Sequence, residues 1–389
     1  MSRRVLHVIP AVAARYGGPS IVAVETVRAL RQVGCDAMIA TTDADGDSHL
    51  TIALGTRVEW EGIPMIAFAR GGGERFKWSS GLATWLNRHV ADYDLIDIHA
   101  VFSHSSLAAA KACRRTGTPY VLRPHGALDP WSLSRKAWRK ELLMRLGARR
   151  MLAGAARLQY TTVEEQALAE AALSWLPTGC VVPLGVDDRC FIDPRRDTAH
   201  PYVFTLSRLE EKKSLEVLID AFHAITLTDV PAWRLVLAGD GRPAYVDALR
   251  ARAAAGPAAA RIEFAGWVEG DHKRALVAGA SLFASPSAQE NFGLSVVEAM
   301  AAGVPALVTP GVNLAREIEA AGAGWVVPHD AAALAARLRG IMTDAADCVV
   351  RGTAARGLAE RFRWSECVRQ LAAFYEDVLA GGGRAARHG

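Results

Sequence analysis

The stretch LFASPSAQENFGLSVVEAMAAGVPALV, residues 282–308, decides how this chain folds. Leu282–Ser285 is a short apolar run of strand length. Pro286 and Gly293 then punctuate a loop. Leu294–Ala302 repeats apolar residues at helical spacing and is closed by Gly303 and Pro305. Ala306–Val308 is the next apolar run. Strand, loop, helix and strand make a βαβ unit, whose two strands run parallel. Parallel sheets are covered on both faces, so their strands read as continuous apolar runs rather than alternating ones.

The same alternation extends in both directions. Strands are expected at Val5–Ile9, Ala37–Thr41, Met65–Phe68, Leu95–Ile98, Tyr120–Leu122 and Arg157–Tyr160. A second set is expected at Tyr202–Leu206, Arg234–Ala238, Ile262–Phe264, Leu282–Ser285, Ala306–Val308 and Gly324–Val327. Helical spacing lies between them, as in Ser20–Val33 and Ser214–Ile225. So many strands exceed what one open sheet holds comfortably. The expected fold is α/β, with two doubly wound Rossmann-like domains facing a central cleft. Residues 1–183 form the first domain, 184–200 a Pro-, Asp- and Arg-rich linker, and 201–363 the second. Residues 364–380 are expected as an amphipathic helix with apolar Cys367, Val368, Leu371, Phe374, Tyr375 and Val378. A disordered tail, 381–389, is expected to follow.

Composition narrows the function. With 389 residues and 51% hydrophobic content, there is apolar material for more than one core. Lys and Arg total 45 against 41 Asp and Glu, so the net charge is +4, and no nucleic acid partner is indicated. The six cysteines are scattered with no C-x-x-C, which fits a reducing cytoplasm and neither a metal site nor a disulfide framework. No secretory leader and no membrane-spanning run is read. The small net charge conceals one basic segment. Between Trp131 and Arg157 lie eight basic residues and a single acid, Glu141. Trp131, Trp138, Leu142, Leu143, Leu146, Met151 and Leu152 are interleaved with them. That pattern reads as a basic amphipathic helix pair, suited to an anionic membrane surface; the plainer alternative is a solvated helix face.

In open parallel sheets, ligands gather at the carboxyl ends of strands. Gly17-Gly18 follows the first strand and can bring backbone amides to an anion, although a tight turn with Ser20 as N-cap explains it equally well. His125-Gly126 follows the fifth strand, where an imidazole could exchange a proton. Ser207-Arg208 to Lys213-Ser214 places two cations before a helix, a site for a diphosphate. Gly239-Asp240-Gly241 to Ala244 matches G-x-G-x-x-A, which would suit a dinucleotide, but Pro243 stands at the helix start. Glu290, in a Gly-containing loop with Asn291, Phe292 and Gly293, precedes Glu298 by eight residues, and the pair could bind polyol hydroxyls. Amides from Phe292 to Leu294 would lie at the helix start. Asp43 to Asp47 imitates a calcium loop, but Gly46 comes too early, so a polar loop is expected.

Taken in order, these motifs resemble the retaining, nucleotide-sugar-dependent glycosyltransferases of family 4, with the two-domain GT-B fold and the E-x7-E signature. That resemblance implies that the helix at 364–380 crosses back to the first domain. The resemblance implies metal-independent transfer of a hexose from a donor such as GDP-mannose or UDP-glucose, with no cofactor. The acceptor would be a hydroxyl on a lipid-linked or growing cell-surface polysaccharide intermediate, as in exopolysaccharide or lipopolysaccharide assembly, reached from the cytoplasm at the inner membrane face. By the same resemblance Glu290 lies near the donor sugar, Glu298 at the ribose, Arg208 and Lys213 at the diphosphate, and His125 near the reacting sugar. Gly17, Gly18, Ser207, Gly239, Gly241, Trp267, Val268, Asn291, Phe292, Gly293 and Leu294 complete the donor side. Two positions depart from the family, which usually carries Gly where this chain has Ser207 and Ser214, and the neighbouring Lys212 leaves the clamping lysine open. The competing readings are a nucleotide-sugar epimerase or phosphorylase on the same fold, an NAD-dependent oxidoreductase, and a non-catalytic sugar-binding module.

Overall fold

In the computed structural model, which describes residues 3–74, 76–195, 199–225 and 233–385, the chain divides into two units. One is Met1–Gly185 together with Trp364–Gly389, and the other is Val186–Arg363. The expected linker is therefore split between Gly185 and Val186, with most of it belonging to the second unit.

The first unit carries β1 (Arg4–Val8), β2 (Asp36–Thr42), β3 (Arg57–Trp60), β4 (Ile63–Phe68), β5 (Leu95–His99), β6 (Tyr120–Arg123), β7 (Arg157–Tyr160) and β8 (Gly179–Val181). Their order across the sheet is β8-β7-β6-β5-β1-β2-β4-β3. All pair in parallel except β3, which runs antiparallel to β4. β3 (RVEW) escapes a search for apolar runs because two of its four residues are charged, and β8 is only three residues long. The Asp43 loop is also more ordered than expected. Ala44–Asp45 and Ser48–His49 form a small hairpin, and buried Asp43 accepts from the Arg70 amide at 2.7 Å. A carboxylate engaged in this way holds a turn and needs no cation.

The second unit holds β9 (Tyr202–Leu206), β10 (Arg234–Ala238), β11 (Ile262–Gly266), β12 (Leu282–Ser285), β13 (Ala306–Val308) and β14 (Gly324–Val326), in the order β11-β10-β9-β12-β13-β14, all parallel. Each sheet turns its winding direction once, between β1 and β5 in the first unit and between β9 and β12 in the second. The carboxyl ends flanking such a switch point open a crevice, because the crossover helices diverge there.

The C-terminal helix, Trp364–Ala385, packs Val368, Leu371, Phe374, Tyr375 and Val378 into the first unit's core with Val5, Val27, Leu30 and Val121. It runs into the stretch expected to be a disordered tail; 386–389 lie outside the described residues. The basic segment is not a regular helix pair. Short helices at Pro130–Ser134, Ala137–Leu143 and Arg149–Ala153 flank a π turn at Met144–Ala148, where Gly147 has φ 148°. The turn divides its apolar residues. Met151 and Leu152 are buried, while Trp138, Leu142 and Leu146 are 67%, 48% and 70% exposed.

Candidate active site

In the second unit, the loops after β9 and β12 supply the charged residues. Lys213 ends a 3-10 turn, Glu211–Lys213, and is itself buried; its ammonium pairs with the Glu290 carboxylate. Burial pushes the Glu290 carboxyl up, but Lys213, Lys212 and Arg208 outweigh it and hold the pKa below the ordinary range. Lys212 is pushed down by burial and by Lys213 beside it. Arg208 is exposed, with Nη2 3.0 Å from Glu210 Oε1. Lys213, Lys212 and Arg208 thus lie about two carboxylates, Glu290 and Glu210, with Lys212 3.5 Å from the latter. This is a surplus of positive charge that an anion would neutralise.

Ser214 has φ 50° and starts the helix Leu215–His223. In the left-handed region a side chain is strained and glycine is not, which explains the family's usual residue there. The hydroxyl of Ser207 is buried without a hydrogen-bond partner among the described residues. Gly239 and Gly241 meet a packing need inside the unit. A Cβ on Gly239 would lie 1.8 Å from the Ser207 carbonyl oxygen, and one on Gly241 2.0 Å from that of Leu209. The Leu209 amide also donates to the Asp240 carbonyl at 2.8 Å. The two glycines therefore let the loop after β10 lie flat against the loop that carries Arg208. Pro243 does not interrupt the following helix but opens it, over Pro243–Ala254, where its fixed φ is suited.

Glu290 lies outside the helix Leu294–Ala301, in a loop that bridges to Val312, and Gly293 (φ 75°) caps that helix. Glu298 lies within the helix and takes a different lysine, Lys273, at 2.8 Å. Glu298 raises the Lys273 pKa against the lowering effect of burial. Phe292 is buried edge-on against Phe362, 5.4 Å between centroids, and Asn291 accepts from Asn313 at 3.3 Å. After β11, Trp267 is 52% exposed and Val268 is buried. Sequence reasoning missed Lys273, because nothing in its local pattern announces a partner 25 residues later.

In the first unit, Gly17 (φ 79°) caps the helix Gly18–Gln32, and the space beside Gly18 is open. Ser20 is not the cap; its hydroxyl donates to the Ala11 carbonyl at 2.9 Å. His125 (φ 51°) and Gly126 (φ 74°) turn the chain at the end of β6. Buried Glu165 braces that turn by accepting from the Gly126 amide at 2.6 Å and from the Thr161 amide at 2.7 Å. A signal for Glu165 was present, since Thr162 to Glu165 has capping-box spacing and Thr162 does cap that helix. Behind His125 lie His99 and His7, and beneath them Asp97 binds Arg123 through both carboxylate oxygens. Burial and Arg123 push His125 down to about 4.

Two Rossmann-like domains with their charged loops at the switch points define the GT-B class. The model of the glycosyl transferase 4-like domain matches residues 17–185, and that of glycosyl transferases group 1 matches residues 189–357. The chain belongs to the family 4 type of glycosyltransferases, and it is an enzyme of that kind. It is 26% identical over 383 residues to the GDP-mannose:cellobiosyl-diphosphopolyprenol alpha-mannosyltransferase of Komagataeibacter xylinus, covering 97% of this chain and 93% of that relative. It is 31% identical over 216 residues to a phosphatidyl-myo-inositol mannosyltransferase of Mycobacterium tuberculosis, covering 52% of this chain and 55% of the relative. Among solved structures, sucrose-phosphate synthase of Thermosynechococcus elongatus superposes with a TM-score of 0.81 at 20% identity, covering 97% of this chain and all of that one. Anabaena HepE bound to UDP and glucose superposes with 0.78 at 21%, covering 96% and 99%. These likenesses carry the fold.

Proposed function

We propose that this enzyme transfers a mannosyl or glucosyl group from a nucleotide-diphosphate sugar to a hydroxyl of a lipid-linked saccharide, with retention at the anomeric carbon and without a metal ion. The observation that carries this reading is the Lys213–Glu290 pair, with Lys212 and Arg208 beside it, at the switch point of the second unit. Charge grows on the leaving nucleoside diphosphate as the glycosidic bond breaks. Fixed cations at that point stabilise the transition state more than the ground state. Arg208 and Lys213 take the diphosphate, Glu290 the donor sugar hydroxyls, and Glu298 the ribose. Gly17, Gly18 and Trp267 to Val268 complete the donor side, and His125 contacts the reacting sugar. The alignment with a mannosyltransferase acting on a diphosphopolyprenol, over nearly the whole chain, favours a lipid-linked acceptor in polysaccharide assembly.

Such an acceptor lies in a membrane, and no helix among the described residues is long and apolar enough to cross one. The exposed stripe of Trp138, Leu142 and Leu146, set among Arg135, Lys136, Arg139 and Arg145, supports docking on the anionic inner leaflet. Flotation with liposomes tests it, since binding indifferent to anionic lipid content rules it out.

The reaction is tested with purified enzyme, GDP-mannose or UDP-glucose, and a polyprenyl-diphosphate saccharide. Transfer is expected from one donor, with the donor's anomeric configuration in the product and no loss in EDTA. Glu290→Ala and Arg208→Ala should each lose roughly a hundredfold or more in kcat, with the melting temperature unchanged in Arg208→Ala and lowered but still cooperative in Glu290→Ala, which leaves buried Lys213 unpaired. No transfer from any nucleotide sugar, or wild-type rates in both variants, overturns the reading.

A further inference from the structure

Three histidines form a continuous row in the first unit. His7 comes from the middle of β1, His99 from the end of β5, and His125 from the turn after β6. His7 Nδ1 lies 3.0 Å from His99 Nε2, and His99 Nδ1 lies 3.2 Å from His125 Nε2. His99 and His125 are stacked, with an interplanar angle of 20°. His7 and His99 are fully buried, whereas His125 is partly exposed. Its other ring nitrogen, Nδ1, makes no hydrogen bond in the row, which uses Nε2.

All three rings are neutral at pH 7. Burial pushes His7 down to about 4 and His99 well below its ordinary value, and His125 also lies near 4. A neutral imidazole carries one N–H and one lone pair, and each contact in the row needs one of each. Only two arrangements satisfy both contacts. In the first, all three protons are on Nε2, so that His125 donates to His99 and His99 donates to His7. In the second, all three are on Nδ1, and the bonds run the other way. Any mixture sets two donors or two acceptors against each other.

The inner end of the row decides between them. His7 Nε2 is buried and has no hydrogen-bond partner among the described residues. In the first arrangement it is an orphaned N–H; in the second it is only an orphaned lone pair. Orphaned buried N–H groups are the rarer and costlier of the two. Asp97 pulls about equally on both sides. Its Oδ2 is 3.8 Å from His7 Nδ1, and its Oδ1 is 3.6 Å from His99 Nε2. His7, Asp97 and His99 have the composition of a cation site. The Arg123 guanidinium, 2.6 Å from Asp97, already neutralises that carboxylate, and the two imidazoles are bonded to each other.

We propose that the row His7–His99–His125 locks His125 in the tautomer protonated at Nδ1, so that this atom is a hydrogen-bond donor to a sugar or acceptor oxygen and not a proton acceptor. His7 and His99 are positioning residues that act through His125. The row ends blind at His7, so it fixes a proton and does not conduct one. The consequence for turnover rests on the assignment of His125 to the reacting sugar; the tautomer itself does not.

The test is long-range 1H–15N correlation spectroscopy of the full chain labelled at histidine, at neutral pH, with His125 assigned by its loss in His125→Gln. A protonated Nδ1 and a bare Nε2 on His125 are expected, and the reverse overturns the proposal. In His7→Phe, His99 is free to turn its proton toward Asp97. His125 should then switch to Nε2–H, with kcat falling roughly tenfold to a hundredfold and donor KM little changed. His7→Asn, whose amide can still donate to His99, should restore the wild-type spectrum and most of the rate. A His125 signal unmoved in His7→Phe overturns the proposal. A switched tautomer with unchanged kcat upholds the row and overturns the placing of His125 at the reacting sugar.

Discussion

Tyr375 accepts a hydrogen bond from Arg123 at 3.1 Å although the two residues are 252 positions apart. Its hydroxyl also donates to Asp97. The C-terminal helix thus does more than cover the first unit with apolar side chains, since it places a phenol in the buried polar network beneath the three histidines. Burial and the Asp97 charge push that phenol well above its usual pKa, so it stays a donor.

Tyr375→Phe removes one donor and one acceptor from a fully buried site. A loss of about 1–3 kcal/mol of stability is expected, because the groups left behind have no access to water. Urea unfolding of the variant against the wild type measures it.

The same network sets a pH dependence. His7, His99 and His125 are held below their ordinary value of 6.5, with Asp97, Arg123 and Tyr375 as the groups facing them. The unfolded chain therefore binds more protons than the folded one between pH 6.5 and about 4. Stability is complete above this window and is lost as pH falls through it. Asp97, depressed below 3.8, extends the loss to lower pH. Melting temperatures measured across the window should fall steeply in the wild type and less steeply in His7→Phe.

Gly241→Ala would bring a Cβ to 2.0 Å from the Leu209 carbonyl oxygen. The two loops must separate, at a cost of about 1–3 kcal/mol. Since this need is internal, the melting temperature should drop with no nucleotide present. A variant as stable as the wild type that loses only donor binding would return the glycine to the ligand.

Ser214→Gly should have the opposite effect. Ser214 sits at φ 50°, ψ 41°, where a side chain costs about 1–2 kcal/mol. The greater freedom of glycine in the unfolded chain returns part of that gain. A net gain of about 1 kcal/mol is expected in chemical denaturation.

Lys273→Met leaves the largely buried Glu298 carboxylate without its 2.8 Å partner. If Glu298 takes the ribose, donor KM should rise about tenfold while kcat changes little, because ribose contacts are made equally in the ground and transition states. Steady-state kinetics at saturating acceptor reads this directly.

What the sequence determined by itself was every parallel strand but the three-residue β8, and the charged loops that follow them. Continuous apolar runs such as Arg234–Ala238 and Leu282–Ser285 need only local composition to be recognised, and Arg208, Lys213 and Glu290 declare themselves by falling just after such runs. Strands with charged faces, such as Arg57–Trp60, carry no comparable period and depend on a neighbour for their hydrogen bonds. Tertiary structure alone decided the partners. Lys213 with Glu290, Lys273 with Glu298, and His7, Asp97, His99 and Arg123 with Tyr375 join residues far apart in the chain. Such pairings leave no local mark, because they satisfy buried charge and buried hydrogen-bonding groups wherever parallel strands and a returning helix bring them together.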